Sequence, residues 1–227
     1  AATLFGILRQ MGKEVYTAVY DQLGATACRI LVPGYSEVYP VEDLIWDNTN
    51  KALLFREDIL NLHQLNDTRL TALLDRLENN ELDEYSDIAT LIGIEFDENT
   101  DWGQLTVLEL KLLIHLALKQ FDETHELVGA FLQYNDNTVE RGLFYQALNV
   151  VLEVLLDPEL ELSDYEHNFR RMFGHARMDA VMGSVDGSVR FYGLTPTSMK
   201  LEGLDRHHRL IDSYKKLHQA RSKFSAP

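Results

Sequence analysis

The stretch from Leu105 to Leu156 constrains this chain most. From Val107 to Leu118 the residues are apolar on nearly every face, and only Lys111, His115 and Lys119 make a polar line at four-residue spacing. A helix of that kind has no wet side broad enough for a surface position, so it must be buried. Two later segments supply the cover. Leu127, Val128, Phe131 and Tyr134 form one apolar stripe, and Val139, Leu143, Ala147, Val151, Val154 and Leu155 form another. At 227 residues and 45% hydrophobic, the chain can build one large domain or two small ones without staples. Nothing in this core reads as an active site, and spacing alone describes a soluble helical domain.

Charge narrows the partners. The formal net charge is -15, and such a surplus of carboxylates opposes binding to phosphate backbones, so no nucleic-acid partner is expected. The charge is uneven: residues 204–223 carry six Lys or Arg against two acids, a local +4 that leaves -19 for the rest. This basic final helix either lies on the acidic body and relieves its self-repulsion, or offers a docking surface to an acidic partner. A single cysteine, Cys28, rules out an intrachain disulfide framework and fits a reducing cytoplasm. There is no secretory signal and no apolar run of about 20 residues, so no membrane segment is expected.

The chain begins without Met and enters a helical pattern, Leu4, Leu8 and Met11, which Gly12 should close. Lys13 to Asp21 alternates and is rich in Val and Tyr, Gly24 marks a turn, and Ala27 to Val32 is a second β run ended by Pro33-Gly34. One helix and two strands cannot bury both faces of a sheet. The rest of the sheet is expected upstream or from another subunit.

These strands carry a resemblance. Val15-Tyr-Thr-Ala-Val-Tyr-Asp21 followed by Cys28-Arg-Ile-Leu-Val-Pro-Gly34 resembles the end of the catalytic domain in the YcaO family, where a strand closing on Asp precedes a strand ending in Arg-Val-x-Val-Pro-Gly. The motif covers about residues 1 to 40. The longer run Pro33-Gly-Tyr-Ser-Glu-Val-Tyr-Pro-Val-Glu-Asp-Leu-Ile-Trp46 is similar to one member in particular, and that likeness continues through the helical tail. The resemblance implies an ATP- and magnesium-dependent protein that phosphorylates a peptide-bond oxygen, as in azoline formation. The member in question is linked instead to β-methylthiolation of a small-subunit ribosomal protein, as an accessory to a methylthiotransferase. The family's nucleotide and magnesium ligands sit on upstream Glu-rich segments that match nothing here. The chain is therefore expected to be a carboxy-terminal piece, with ATP and magnesium bound in the missing part. It departs from azoline-forming members in its tail, Lys223-Phe-Ser-Ala-Pro227, which has one proline where they are proline-rich. Arg29 is the only residue here that could face the missing site, and otherwise it is a solvated or salt-bridged strand residue.

Beyond Pro40 the pattern is helical: a short helix or turn at Val41–Trp46, amphipathic helices at Lys51–His63 and Asp67–Leu77, and a shorter one at Tyr85–Ile92. The acids from Asp75 to Asp87 suit a solvated face. Asp97, Asn99 and Asp101 fail the calcium-loop register, since position 6 is Trp102 and position 12 is Leu108. Thr106 and Glu109 have the spacing of a capping box, repeated at Ser163 and Glu166 for a helix through Phe173. Leu108 to Leu132 can be laid on a tetratricopeptide repeat with Phe121, Val128 and Phe131 inside, although Thr124 and Leu112 stand where that repeat prefers Ala and Gly. A second unit is expected from Val139 to Phe173. Asp186-Gly187 is either a hairpin turn or a loop before a last helix from Leu204.

The eight histidines show no zinc spacing: His125-Glu126 lacks a second His, and His207-His208 point to different parts of a helix. His115 is expected to be satisfied by a hydrogen bond, and Cys28 to be an inert thiol. The expected fold is mainly α: residues 46–227 form a tetratricopeptide-like domain, preceded at 1–45 by a small α/β remnant of a catalytic domain. No catalytic, cofactor-binding or metal residue is assigned, and the segment is not expected to be an enzyme by itself. The expected role is dimerisation, as a homodimer, or docking of a protein partner such as the ribosomal protein or the methylthiotransferase, in the cytoplasm. The alternatives are a free-standing helical adaptor without enzyme activity, and an autonomous hydrolase or metal enzyme.

Overall fold

The computed structural model describes residues 2–20, 27–32, 52–97, 100–134 and 139–224. The chain divides into two compact units, Ala1–Asn48 and Thr49–Pro227. In the first, helix α1 (Ala2–Gln10) ends at Gly12, whose φ of 68° is the left-handed conformation that stops the helix. Strands β1 (Tyr16–Tyr20) and β2 (Ala27–Leu31) pair antiparallel, with Tyr16 opposite Leu31 and Tyr20 opposite Ala27. Helix, strand and strand follow the order expected from the sequence. Val19, Cys28, Arg29 and Ile30 are all exposed, so among the described residues both faces of the paired strands carry exposed side chains, while Val32 just past β2 is buried. The segment 41–46 and the Pro33-Gly34 motif lie outside the described residues.

The second unit is helical: α2 (Arg56–Leu60), α3 (Asp67–Asn79), α4 (Ile88–Ile92), α5 (Val107–Ala117), α6 (Phe121–Tyr134), α7 (Val139–Leu156), α8 (Leu162–Phe173), α9 (His175–Asp186) and α10 (Asp205–Phe224). Short 3-10 turns stand at Leu53–Phe55, Leu62–Gln64 and Asp101–Gln104. As its largely apolar sequence requires, α5 is buried from Val107 to Leu116 except at Lys111, and packs against α3, α6 and α9. The stripe on α6 buries Val128 and Phe131. On α7 the buried face is Phe144, Tyr145, Ala147, Leu148, Val151, Leu152 and Val154, whereas Leu155 is 38% exposed. The face is thus rotated towards Phe144 and Tyr145 from the stripe drawn through Leu143 and Leu155.

Local chemistry explains where the elements differ from the sequence expectation. The helix expected over Lys51–His63 breaks at Asn61, whose side chain donates to Glu57 O (2.8 Å) while its backbone leaves helical geometry (φ -95°, ψ 16°). The helix expected from Tyr85 starts only at Ile88. Asp83 accepts from Tyr85 N (3.1 Å) and from Ser86 Oγ (3.2 Å), which holds that turn outside the helix. Helix α9 was not anticipated. It follows Gly174 (φ 88°) and ends at Gly187 (φ 91°), so Asp186-Gly187 is a helix stop and not a hairpin turn. At Gly183 an added Cβ would lie 2.7 Å from Val189 Cγ2, so only glycine lets the 188–189 turn close on α9.

Candidate functional site

Thr106 caps α5 as expected, accepting from Glu109 N at 3.3 Å. The second half of the capping box is absent, because the Glu109 carboxylate turns into the core. It is 2% exposed, and both its oxygens are taken by Arg141 on α7: Nε donates to Oε1 at 2.7 Å and Nη2 donates to Oε2. Tyr145, one turn further along α7, donates its phenol to Oε1 at 2.6 Å. Burial pushes the Glu109 carboxyl upward against the guanidinium and phenol that favour its charge. Burial likewise opposes charge on Arg141, yet the Glu109 carboxylate holds it above its ordinary value. The bidentate geometry is that of a charged pair. Burial and the adjacent carboxylate hold the Tyr145 phenol well above its usual value, so it remains a donor.

Beside this network lies a cavity of about 80 Å³ edged by Asp101, Glu140 and Tyr192. Glu140 is paired with Arg177 at 2.6 Å, and Tyr192 stacks on Phe144 at 3.8 Å. Gly193 (φ 82°) leaves room for Asp101, whose Oδ2 would lie 2.2 Å from a Cβ there. Each buried polar atom of Glu109 and Tyr145 is thus consumed within the protein. The arrangement ties α5 to α7 and engages both carboxylate oxygens within the protein.

A larger feature lies where α10 leaves the body. Asp97 accepts from Asp205 N and Arg206 N, both at 3.0 Å, so a side chain 108 positions upstream caps this helix. Arg206 Nε pairs with Glu95 Oε1 at 2.8 Å, and the buried His207 accepts at Nδ1 from Glu95 N at 3.1 Å. That acceptor must be unprotonated. Burial first, then Arg56 and His208, lower the His207 pKa. From Asp212 to Leu217 every residue is exposed, and Leu210 (44%), Tyr214 (66%) and Leu217 (67%) form an apolar row at spacings of four and three. Between the start of α10 and the segment from Asp87 to Gln104 runs a groove of about 860 Å³, with Phe96 in its lining and Leu210, Ile211 and Tyr214 along one wall.

Of the residues weighed from sequence, Arg29 and Cys28 are exposed on β2. His115 Nδ1 is 2.8 Å from Gln120 Oε1, the hydrogen bond expected of it. Asp97 serves α10 and Asp101 opens a 3-10 turn, while Asn99 is outside the described residues. The second capping box is corrected: Ser163 lies inside α8, whose N-cap Glu161 makes no side-chain cap bond, and Glu166 pairs with Arg170 at 2.9 Å. Among the described residues no three of His, Cys, Asp and Glu gather to hold a metal ion, and no helix is long and apolar enough to cross a membrane. Sequence reasoning missed the buried Glu109–Arg141–Tyr145 set. The available signal was a lone carboxylate inside an all-apolar helix, and an Arg and a Tyr four apart among the apolar residues of α7.

Comparison with known proteins places this helical unit. A family model described as the YcaO cyclodehydratase C-terminal domain matches residues 52–223. The ribosomal protein S12 methylthiotransferase accessory factor YcaO of Escherichia coli (strain K12) is 31% identical over 229 residues, 99% of this chain and 39% of that protein. An uncharacterized protein of Haemophilus influenzae is 32% identical over 223 residues, 96% of this chain and 38% of its own length. The chain thus spans less than half of the curated relatives it matches. The family match falls on the unit that carries α5, the buried ion pair and α10, and on these grounds the chain belongs to the YcaO family, as its C-terminal domain.

Proposed function

We propose that this chain is the docking module of a YcaO-type protein, and that the whole protein assists β-methylthiolation of ribosomal protein S12; its Escherichia coli relative is named as an accessory factor of the ribosomal protein S12 methylthiotransferase. The observation that carries this reading is α10, a 20-residue helix anchored at its first turns and presenting Leu210, Tyr214 and Leu217 to solvent beyond them. Exposed apolar rows of this kind mark contact surfaces. Catalysis is not assigned to the segment; ATP and magnesium would belong to an upstream part, and the hairpin, exposed on both faces, suits completion by a larger sheet. A tetratricopeptide-like helical layout, a cytoplasmic location and self-association as a homodimer fit the same reading.

The test is the solution mass by light scattering over a range of concentrations, followed by calorimetric titration of purified methylthiotransferase and of purified ribosomal protein S12. A dimer that Tyr214→Ala/Leu217→Ala dissociates, or saturable binding of either protein that this variant weakens, is the expected result. A monomer at every concentration that binds neither protein sinks the reading.

A further inference from the structure

The groove beside α10 has a definite chemistry, and its meaning rests on the docking reading above. One wall is apolar and helical, formed by Leu210, Ile211 and Tyr214, and the row continues past the groove as a ledge to Leu217. The opposite wall is mixed, with Ile94 and Phe96 beside three acids, of which Glu95 is paired with Arg206 and Asp97 caps α10. Asp87 stands there with no cation paired to it among the described residues, and an adjoining hollow of about 380 Å³ shares Asp87 and adds Glu81 and Asp83 around Leu82 and Leu91. Arg206, the cation in the groove lining, is already paired with Glu95. An occupant therefore meets on one side an apolar row on a helix that also carries the exposed Arg209, Lys215 and Lys216, and on the other side the single carboxylate of Asp87.

The apolar wall also sets the occupant's periodicity. Leu210, Tyr214 and Leu217 repeat with helical spacing, and side chains on a helix surface interdigitate best with another helix laid along them. From Leu210 to Leu217 the row rises roughly 10 Å, so a partner helix of about three turns covers groove and ledge together. We infer that the groove between α10 and Asp87 receives an amphipathic helix of a partner protein, with its apolar stripe on Leu210, Tyr214 and Leu217 and a Lys or Arg on its flank beside Asp87. The acidic body, -19 outside the final helix, attracts the same partner at longer range and repels nucleic acid.

The experiment uses the full chain and a fluorescein-labelled 18-residue helical peptide with a Leu stripe flanked by Lys, against a counterpart with every Lys replaced by Glu. Fluorescence anisotropy is read at low and high salt. The Lys peptide should bind saturably and at least tenfold more tightly than the Glu peptide. Tyr214→Ala/Leu217→Ala should weaken it at least tenfold at both salt concentrations. Asp87→Asn should weaken it a few-fold and reduce the salt dependence. Asp87 makes no side-chain bond at the start of α4 and the other two side chains are exposed, so the fold should persist, as circular dichroism would check. Equal binding of both peptides, or binding that neither variant changes, overturns the proposal. So does light scattering that shows α10 occupied by a second copy, an outcome that leaves the docking reading standing.

Discussion

At Arg141 the protein has placed a charge where removing it does the most harm. Arg141→Ala would leave the Glu109 carboxylate buried without its partner, a change that costs about 3–5 kcal/mol in comparable pairs. Replacing both by leucine should cost far less, since no charge is then stranded. Urea unfolding of the single and double variants checks the contrast. His207 makes a pH prediction. Its folded pKa is lowered, so the folded state binds fewer protons than the unfolded one near and below the ordinary value of 6.5. The stability it contributes is complete above about 6.5 and is lost as pH falls through the folded value. His63 acts in the same direction: burial lowers its pKa first and Arg190 adds to this, although the Leu194 backbone opposes them. Thermal melts from pH 8 to 5 should therefore decline. His207→Gln, whose amide oxygen can still accept from Glu95 N, should flatten part of the decline.

The elements owe their ends to single side chains, which is why their boundaries were harder to read than their existence. Asn66 caps α3 by accepting from Arg69 N at 3.0 Å, and Asn66→Ala should cost about 1 kcal/mol in chemical denaturation. Helices α3 and α6 were legible from their apolar periodicity, and α5 because it is apolar on nearly every face. The break at Asn61 and the delayed start at Ile88 were not, because each depends on a local side-chain bond that periodicity does not register. Helix α9 escaped notice because its interior holds Gly183, which lets the 188–189 turn approach closely, and Ser184, whose hydroxyl donates to Ala180 O. The capping-box spacing at Thr106 was half right. The cap formed, but the tertiary demand of Arg141 outcompeted the local use of Glu109.

For the whole molecule, family membership was visible in the strand motif, whereas the family model matches the helical unit that follows it. The basic final helix is expected from sequence either to lie on the acidic body or to offer a docking surface to an acidic partner. The start of α10 fits the first expectation, since Arg206 pairs with Glu95, while Asp212 to Leu217 are exposed. Nothing in the charge count could show that division, because it depends on Asp97 reaching the first two amides of α10 across 108 residues. With the contacts of Arg206 and His207 to Glu95, that carboxylate clamps the helix at its start. In hydrogen–deuterium exchange the amides near His208, inside the clamped turns, should therefore be slow and those beyond Tyr214 fast, a gradient along a single continuous helix. Asp97→Ala should abolish the slow end while leaving α5 protected. A bound partner should work from the opposite side and slow the free end, so the exchange profile reads directly which end of α10 is held.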